Sequence, residues 1–332
     1  MSGAPLNILH CHSTFALGGK EARAVRLMNA FGDAARDTIL SAVPGALSAS
    51  DAIDHGIAVD FPADAPSLIG RPGWRRYRAL ARYLARFDLI LSYNWGAMDA
   101  AGAHRLFPRG LPPLIHHEDG FNADEADGLN AKRNWFRRLT LPTAKALVVP
   151  SVTLERVAKA HWGGDRLNLQ RIANGIAVKR YAAAPQGDAI PGLTRQAGDV
   201  VIGTIAGLRA VKDLPRLVRA LAALPPHVRL VIVGEGPERA AIAQAAQSAG
   251  VADRLVLPGF ASADLLDAQE RYVGLFDLLA LSSLSEQQPI AVIEGMAAGL
   301  PIVAPAVGDI AHMVAPANAP FVIDAAADLA AP

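Results

Sequence analysis

Short apolar runs alternate along this chain with longer stretches in which apolar residues return every three or four positions. In the first half the runs are LNILHCH, TILSAV, IAVDF, LILSY, PPLIHH and ALVVP, with helical spacing between several of them, as over residues 20–31 and 74–87. In the second half VVIGTIAG, VRLVIVG, RLVLPG, LFDLLALSS and PIVAP alternate with helical patterns near 213–224, 237–249, 263–270 and 289–299. A strand buried on both faces reads as a continuous apolar run, and strands separated by helices pair in parallel. The pattern therefore predicts an α/β chain with two doubly wound parallel sheets. Between the halves, NGIAVKRYAAAPQGDAIPGLTRQAGD at 174–199 is rich in Gly, Pro, Ala and Gln and keeps no period, as a connector should. We expect an N-terminal Rossmann-like domain over 1–174, a linker over 175–199 and a second Rossmann-like domain over 200–332. Two such sheets offer a cleft at their carboxyl ends, where open α/β sheets bind ligands.

Composition narrows this picture. A length of 332 residues suits two domains, and 52% hydrophobic against 19% charged residues is enough for two cores. A net charge of +1 gives no electrostatic case for nucleic acid. The single cysteine, Cys11, sits in the first apolar run, which excludes an internal disulfide framework and fits a reducing compartment. The start, MSGAPLNILHCHSTF, lacks the basic head and long apolar core of a signal peptide, and no apolar window approaches the ~18 residues of a membrane span. A cytoplasmic protein is the simplest expectation.

The candidate chemistry concentrates in SEQQPIAVIEGMAAGLPIVAP, residues 285–305, where seven residues separate Glu286 from Glu294. Pro289 suits the first turn of a helix that ends at Gly299, before Pro301 opens the next strand. The amides around Gln287, Gln288, Pro289 and Ile290 would then form an anion site suited to a diphosphate. Glu286 could reach a sugar hydroxyl, and Glu294, two turns along, could accept from a ribose diol. The plain alternative makes Glu286 a helix-start acid and Glu294 a surface residue. Against it, Glu294 lies within the otherwise apolar AVIEGMAAG, and a buried acid needs a partner.

This stretch resembles the E-x7-E signature of family 4 glycosyltransferases, retaining enzymes of the GT-B fold, in which two Rossmann-like domains face each other across a cleft. VIGTIAGLRAVKDLPRLVRAL, VRLVIVGEGPERAAI and DRLVLPGF resemble successive units of the family's donor domain, and ANGI its interdomain linker. GGKE at 18–21 and LIHHEDG at 114–120 resemble the N-terminal half more loosely. The resemblance implies that Arg209 and Lys212 contact the donor diphosphate and steady its departing charge, as fixed cations should. The family commonly has Gly-Arg-Leu ahead of this Lys, whereas here Ala206-Gly207-Leu208-Arg209 shifts the Arg by two positions. Gly207, Glu235 and Phe260 are implied as further donor contacts, and Gly18 and Gly19 as a turn that reaches the diphosphate. GEGPER at 234–239 lacks the third glycine of a dinucleotide fingerprint. His116 is implied near the transferred sugar, with His117, Glu118 and Asp119 at the acceptor; only one of the adjacent histidines can face a given side of the sheet.

Two basic-aromatic stretches remain, RPGWRRYRALARYLARF at 71–87 and KRNWFRRLTL at 132–141. Six arginines with Trp74, Tyr77, Tyr83 and Phe87 fit either an interfacial helix at the inner face of a membrane or a solvated helix face. The resemblance implies a nucleotide-sugar donor linked to UDP, GDP or ADP, and a glycan or lipid-linked acceptor. No Asp-x-Asp motif occurs, which fits an enzyme needing no metal and no cofactor. A nucleotide-sugar epimerase and a shortened, non-catalytic binding protein are the alternatives. FVIDAAADLAAP ends the chain where a further helix pattern begins, so a mobile hinge, an exposed apolar strip and a homodimer covering it are also expected.

Overall fold

The apolar runs of the first half become seven parallel strands, described for the whole chain by a computed structural model that covers residues 4–121, 125, 128–260 and 269–325. They are β1 (Leu6–His12), β2 (Ala35–Ser41), β3 (Val59–Asp60), β4 (Leu89–Tyr93), β5 (Leu114–His117), β6 (Ala146–Val149) and β7 (Leu169–Arg171). Their spatial order is β3-β2-β1-β4-β5-β6-β7. The helices are α1 (Gly19–Phe31), α2 (Trp74–Leu84), α3 (Met98–Leu106), α4 (Ala131–Thr140) and α5 (Val152–Val157). Leu80 and Leu84 of α2 and Ala100 and Ala103 of α3 share one core with Leu9, Cys11, Ile90 and Leu114 of the sheet. Gly102 of α3 lets Tyr77 of α2 and Phe136 of α4 close over it: a Cβ there would meet their rings at 2.7 and 3.2 Å.

The second half repeats the plan with β8 (Val200–Ile205), β9 (Val228–Val233), β10 (Leu255–Gly259), β11 (Leu278–Ala280), β12 (Ile302–Pro305) and β13 (Val322–Ile323). The order is β10-β9-β8-β11-β12-β13, and every recorded pairing is parallel. The helices are α6 (Leu214–Leu221), α7 (Arg239–Ser248), α8 (Gln269–Tyr272), α9 (Ile290–Ala297) and α10 (Ile310–Met313). Strand alternation divides the apolar side chains between two cores. Val201, Val231 and Val233 pack with Val292 of α9, whereas Ile202, Leu230 and Ile232 pack with Leu217 and Leu221 of α6 and Ile242 of α7. The α6 side also holds an apolar cavity of about 160 Å³, lined by residues that include Leu217, Leu278 and Val303. The helix expected near 263–270 falls mostly outside the described residues.

Among the described residues the chain divides into two compact units, Met1–Gly120 with Asp127–Ala173, and Phe121–Ala126 with Asn174–Pro332. In each sheet the strand order reverses beside the first strand of the unit, between β1 and β4 and between β8 and β11. Such a switch point splays the following loops apart and opens a crevice at the carboxyl ends of the strands. Residues 13–18 and 94–97 flank the first crevice; residues 206–213 and 281–289 flank the second.

Candidate functional site

In the second unit the loop after β8 turns through Asp213, whose φ of 41° is left-handed, and brings Lys212 toward the loop after β11. The Lys212 ammonium pairs with the Glu286 carboxylate, which also accepts from Ser283 Oγ at 2.7 Å. Two further bonds tie the loops together: Ser282 Oγ donates to the Lys212 carbonyl at 2.8 Å, and the Leu284 amide donates to the Val211 carbonyl at 2.9 Å. The loop after β12 braces the same segment from behind. Gly308 lies at φ 59°, where a Cβ would stand 2.2 Å from the Glu286 carbonyl oxygen, and the Asp309 amide donates to the Gln287 carbonyl at 2.9 Å. Asn174 Nδ2 donates to the Gln288 carbonyl at 2.8 Å, and the Asn174 amide donates to the Gln288 side chain.

Pro289 stands at the N-cap of α9 in extended backbone, one residue before the position expected of it, and Ile290 opens the helix. No N-cap side chain accepts from the first turn, since proline has none to offer. Glu294 is only 2% exposed, which removes the surface alternative. It lies near Tyr272, whose phenol is pushed well above its ordinary pKa by burial first and by Glu294 next. Arg209 and Gly207 are exposed, and Glu235 pairs with Arg239 at 3.0 Å beside the half-exposed Phe260. The glycines of GEGPER serve backbone approach: a Cβ on Gly234 would stand 2.0 Å from the Ala206 carbonyl oxygen, and the Gly234 amide donates to the Gly259 carbonyl at 2.8 Å.

In the first unit, the ends of β1, β4 and β5 carry a row of rings. Tyr93 is stacked between His12 at 4.3 Å and His117 at 4.9 Å. His10 lies below, with Nε2 2.9 Å from Asp37 Oδ1 and Nδ1 3.1 Å from the Tyr93 hydroxyl. In the neutral tautomer that donates Nε2–H to Asp37, Nδ1 accepts the Tyr93 O–H and fixes the ring. Burial holds His12 well below its ordinary pKa, assisted by Lys20, and holds His117 down at about 3, assisted by Arg23. Both rings are therefore neutral. Both ring nitrogens of His12 and Nδ1 of His117 are buried without a partner among the described residues.

His116 takes the opposite face of β5 and is fully buried, its Nδ1 2.8 Å from Ser92 Oγ and its Nε2 3.6 Å from Glu118 Oε2. Glu118 corrects the expectation of an acceptor contact. Its fully buried carboxylate accepts from Arg137 Nε at 3.0 Å, and Arg137 packs on the rings of Trp95 and Trp162. Burial opposes its ionisation, but Arg137 and His116 outweigh that and hold its carboxyl below the usual range. Asp119 is committed to Arg23, while its own amide donates to Asn94 Oδ1 at 2.6 Å. Gly18 caps α1 in extended backbone and Gly19 begins the helix; beside them Lys20 bonds Ser13 Oγ and the Thr14 carbonyl, both at 3.3 Å, and pairs with Glu21.

Sequence reasoning did not single out Ser283, His12 or Tyr93, and took Asn174 only as part of ANGI at the linker. The hydroxyl pair closing LFDLLALSS was the available signal for Ser283 and Ser282. Among the described residues no three His, Cys, Asp or Glu side chains are grouped to hold a metal ion, and no helix is long and apolar enough to cross a membrane.

Two family models divide the chain between them. The model for Glycosyltransferase Family 4 matches residues 17–180, and that for Glycosyl transferases group 1 matches residues 188–331. The chain belongs to family 4 of the glycosyltransferases. A GDP-mannose-dependent alpha-mannosyltransferase of Mycobacterium tuberculosis (strain CDC 1551 / Oshkosh) is 26% identical over 261 residues, 77% of this chain and 65% of the relative. A 2-deoxystreptamine glucosyltransferase of Streptomyces kanamyceticus is 31% identical over 125 residues, 37% of this chain and 32% of that protein. The chain thus spans less than two thirds of the length of either relative. Among solved structures, Anabaena Alr3699/HepE in complex with UDP-glucose superposes with a TM-score of 0.72 at 20% identity, covering 93% of this chain and 83% of that one. Sucrose-phosphate synthase from Thermosynechococcus elongatus gives 0.71 at 19% identity, covering 93% and 84%. These matches show the fold: this member of family 4 has the two Rossmann-like domains of the GT-B architecture.

Proposed function

We propose that this glycosyltransferase moves a sugar from a UDP-, GDP- or ADP-linked donor to a hydroxyl of a glycan or lipid-linked acceptor, with retention at the anomeric carbon, in cell-surface polysaccharide synthesis inside the cell. The observation that carries the donor side is the convergence of Lys212, Glu286, Ser283 and the α9 amides at one switch point. In this reading the diphosphate lies on the α9 amides and draws the Lys212 ammonium from Glu286, so that Lys212 meets charge as it develops on the leaving group. Glu286 is then free to accept from a sugar hydroxyl, and Glu294 holds the ribose. The bond from the anomeric carbon to the diphosphate oxygen breaks as the acceptor oxygen bonds that carbon on the same face. The acceptor proton passes to the departing diphosphate, and no protein nucleophile or metal takes part. HepE was solved with UDP-glucose, and the mycobacterial relative is named for GDP-mannose; both support a nucleotide-sugar donor without choosing the base.

The test is calorimetric titration with UDP, GDP and ADP sugars, followed by transfer to an acceptor panel with and without EDTA and assignment of the product anomer by NMR. Glu294→Gln is expected to weaken nucleotide binding by roughly 1–3 kcal/mol, the scale of a lost charged hydrogen-bond partner. Lys212→Ala should lose both affinity and rate, whereas the exposed Arg209 should matter only if it replaces the family's usual Arg. Unchanged nucleotide affinity in the Glu294 variant would remove the ribose assignment, and an inverted anomer would remove retention.

A further inference from the structure

The chain is nearly neutral overall, but its charge is segregated within the first unit. Residues 71–87, 104–113 and 131–141 contain twelve of the 32 Lys and Arg and none of the 31 Asp and Glu, so the remainder sets 20 cations against 31 anions. These segments form α2, the end of α3 with its following turn, and α4. The three helices lie side by side, because Tyr77 of α2 and Phe136 of α4 both close on Gly102 of α3. Three of the cations are paired with acids: Arg76 with Asp99 at 3.0 Å, Arg86 with the exposed Asp64 at 2.8 Å and the buried Arg137 with Glu118 at 3.0 Å. Arg75, Arg78 and Arg82 on α2, Arg105 on α3, and Lys132 and Arg138 on α4 are exposed.

Large apolar side chains stand among these cations. Trp74 is 61% exposed and Trp135 63%, with Leu106 and Leu139 at 45% and 42%. Trp74 rests against Phe107 at 4.8 Å between ring centroids. A solvated helix face has no use for exposed tryptophans. Duplex nucleic acid is gripped through its phosphates by cations, which leaves exposed tryptophan and leucine without a role. A surface rich in long basic side chains and poor in acids that also carries tryptophan and leucine matches the headgroup region of an anionic bilayer, where rings enter the acyl boundary and guanidinium groups reach phosphate.

We infer that the outer face of α2, the α3 terminus and α4 is a docking surface for an anionic lipid membrane. The inference deepens the proposed function by setting the first unit against a lipid surface, where a lipid-linked acceptor would be presented. It is tested without donor or acceptor, so its failure is separable from a failure of the transferase reading. The protein is sedimented with vesicles of phosphatidylcholine alone and with vesicles containing phosphatidylglycerol, at low and high salt, while tryptophan emission is recorded. We expect binding to the anionic vesicles only, a blue shift of emission on binding, and release as salt rises. Arg75→Glu, Arg78→Glu and Arg82→Glu together should lower partitioning by at least about a hundredfold, each basic group near such a surface being worth about fivefold. Trp74→Ser with Trp135→Ser should abolish the emission shift and weaken binding. All five side chains are exposed, and an unchanged unfolding midpoint verifies that each variant is folded. No binding at low salt, binding indifferent to both sets of substitutions, or binding of duplex RNA in place of vesicles would overturn the proposal.

Discussion

At the level of single residues, the first unit's ring row carries a pH signature. His12 and His117 are kept neutral, chiefly by burial. A ring whose folded pKa lies below its ordinary value of 6.5 costs nothing above that pH and destabilises the fold progressively as pH falls, for His117 down to about 3. Each such imidazole adds a slope of about 1.4 kcal/mol per pH unit in that window, because the unfolded chain takes up a proton that the fold refuses. All four tryptophans, Trp74, Trp95, Trp135 and Trp162, lie in the first unit, so their fluorescence follows its unfolding alone. Urea melts between pH 4 and 6.5 should show the slope, and His117→Gln should reduce it by about one proton while leaving the carboxylate contributions in place. An identical slope in the variant would mean that His117 is protonated in the fold. The sequence exposed some of this scale and hid the rest. Glu286 was legible because an apolar run stands immediately before its loop, and Glu294 because it interrupts an otherwise apolar helix pattern, whereas Lys212 was legible only by resemblance. Alternation said that His116 and His117 must part, but only the helices packed on the sheet decide which one joins Glu118 and which one joins Tyr93. The Asn174–Gln288 bonds span 114 residues, a distance that no local pattern reports.

Elements were legible where a strand is long and buried on both faces. β1, β8 and β9 follow their apolar runs closely, since nearly every side chain in them meets a core. β7 and β13 escaped notice for the opposite reason: LQR is largely exposed and Val322–Ile323 is two residues long, so each is a strand only through its neighbour in the sheet. LFDLLALSS shrinks to Leu278–Ala280 because Asp277 is taken by Arg195 at 2.6 Å and by the Val201 amide at 2.7 Å, ahead of the strand. The contact of the loop after β12 with Glu286 yields a prediction at this scale. Gly308 and Gly250 both adopt left-handed backbone, at φ 59° and 68°, but only Gly308 lies against other backbone; around Gly250 nothing comes within 4 Å of a built Cβ. Gly250→Ala should therefore cost only the left-handed conformation, about 1–2 kcal/mol. Gly308→Ala should cost about 2–4 kcal/mol, because overpacking against the Glu286 carbonyl is added. It should weaken nucleotide binding as well, by displacing Glu286 and Gln287. Chemical denaturation and nucleotide titration of the two variants would check this, and equal losses would show that the Gly308 contact does not position the loop.

The molecule as a whole has two sets of cores, and the proposed donor groups lie in the second unit, apart from the Gly18–Gly19 turn that resemblance implies in the first. A ligand stabilises what it binds, by about 2.7 kcal/mol at a hundred times its Kd. Saturating nucleotide, with the base chosen by titration, should thus slow hydrogen exchange in two classes of amide in the second unit: those at residues 206–213 and 281–290, and those of the β8–β13 core that open only with that unit. The strands β1–β7 draw their protection from a different core and should exchange at unchanged rates. Exchange at Gly18 and Gly19 then decides a point carried only by resemblance. If this turn reaches the diphosphate, its amides should gain protection with nucleotide while the β1 amides just before it do not. Tryptophan fluorescence supplies the complementary reading, since a nucleotide confined to the second unit should leave the fluorescence-detected melt of the first where it was. Protection spread evenly over β1–β7, or none at 206–213 and 281–290, would mean that the nucleotide does not lie on Lys212 and the α9 amides, and the assignment of the donor to that switch point would have to be given up.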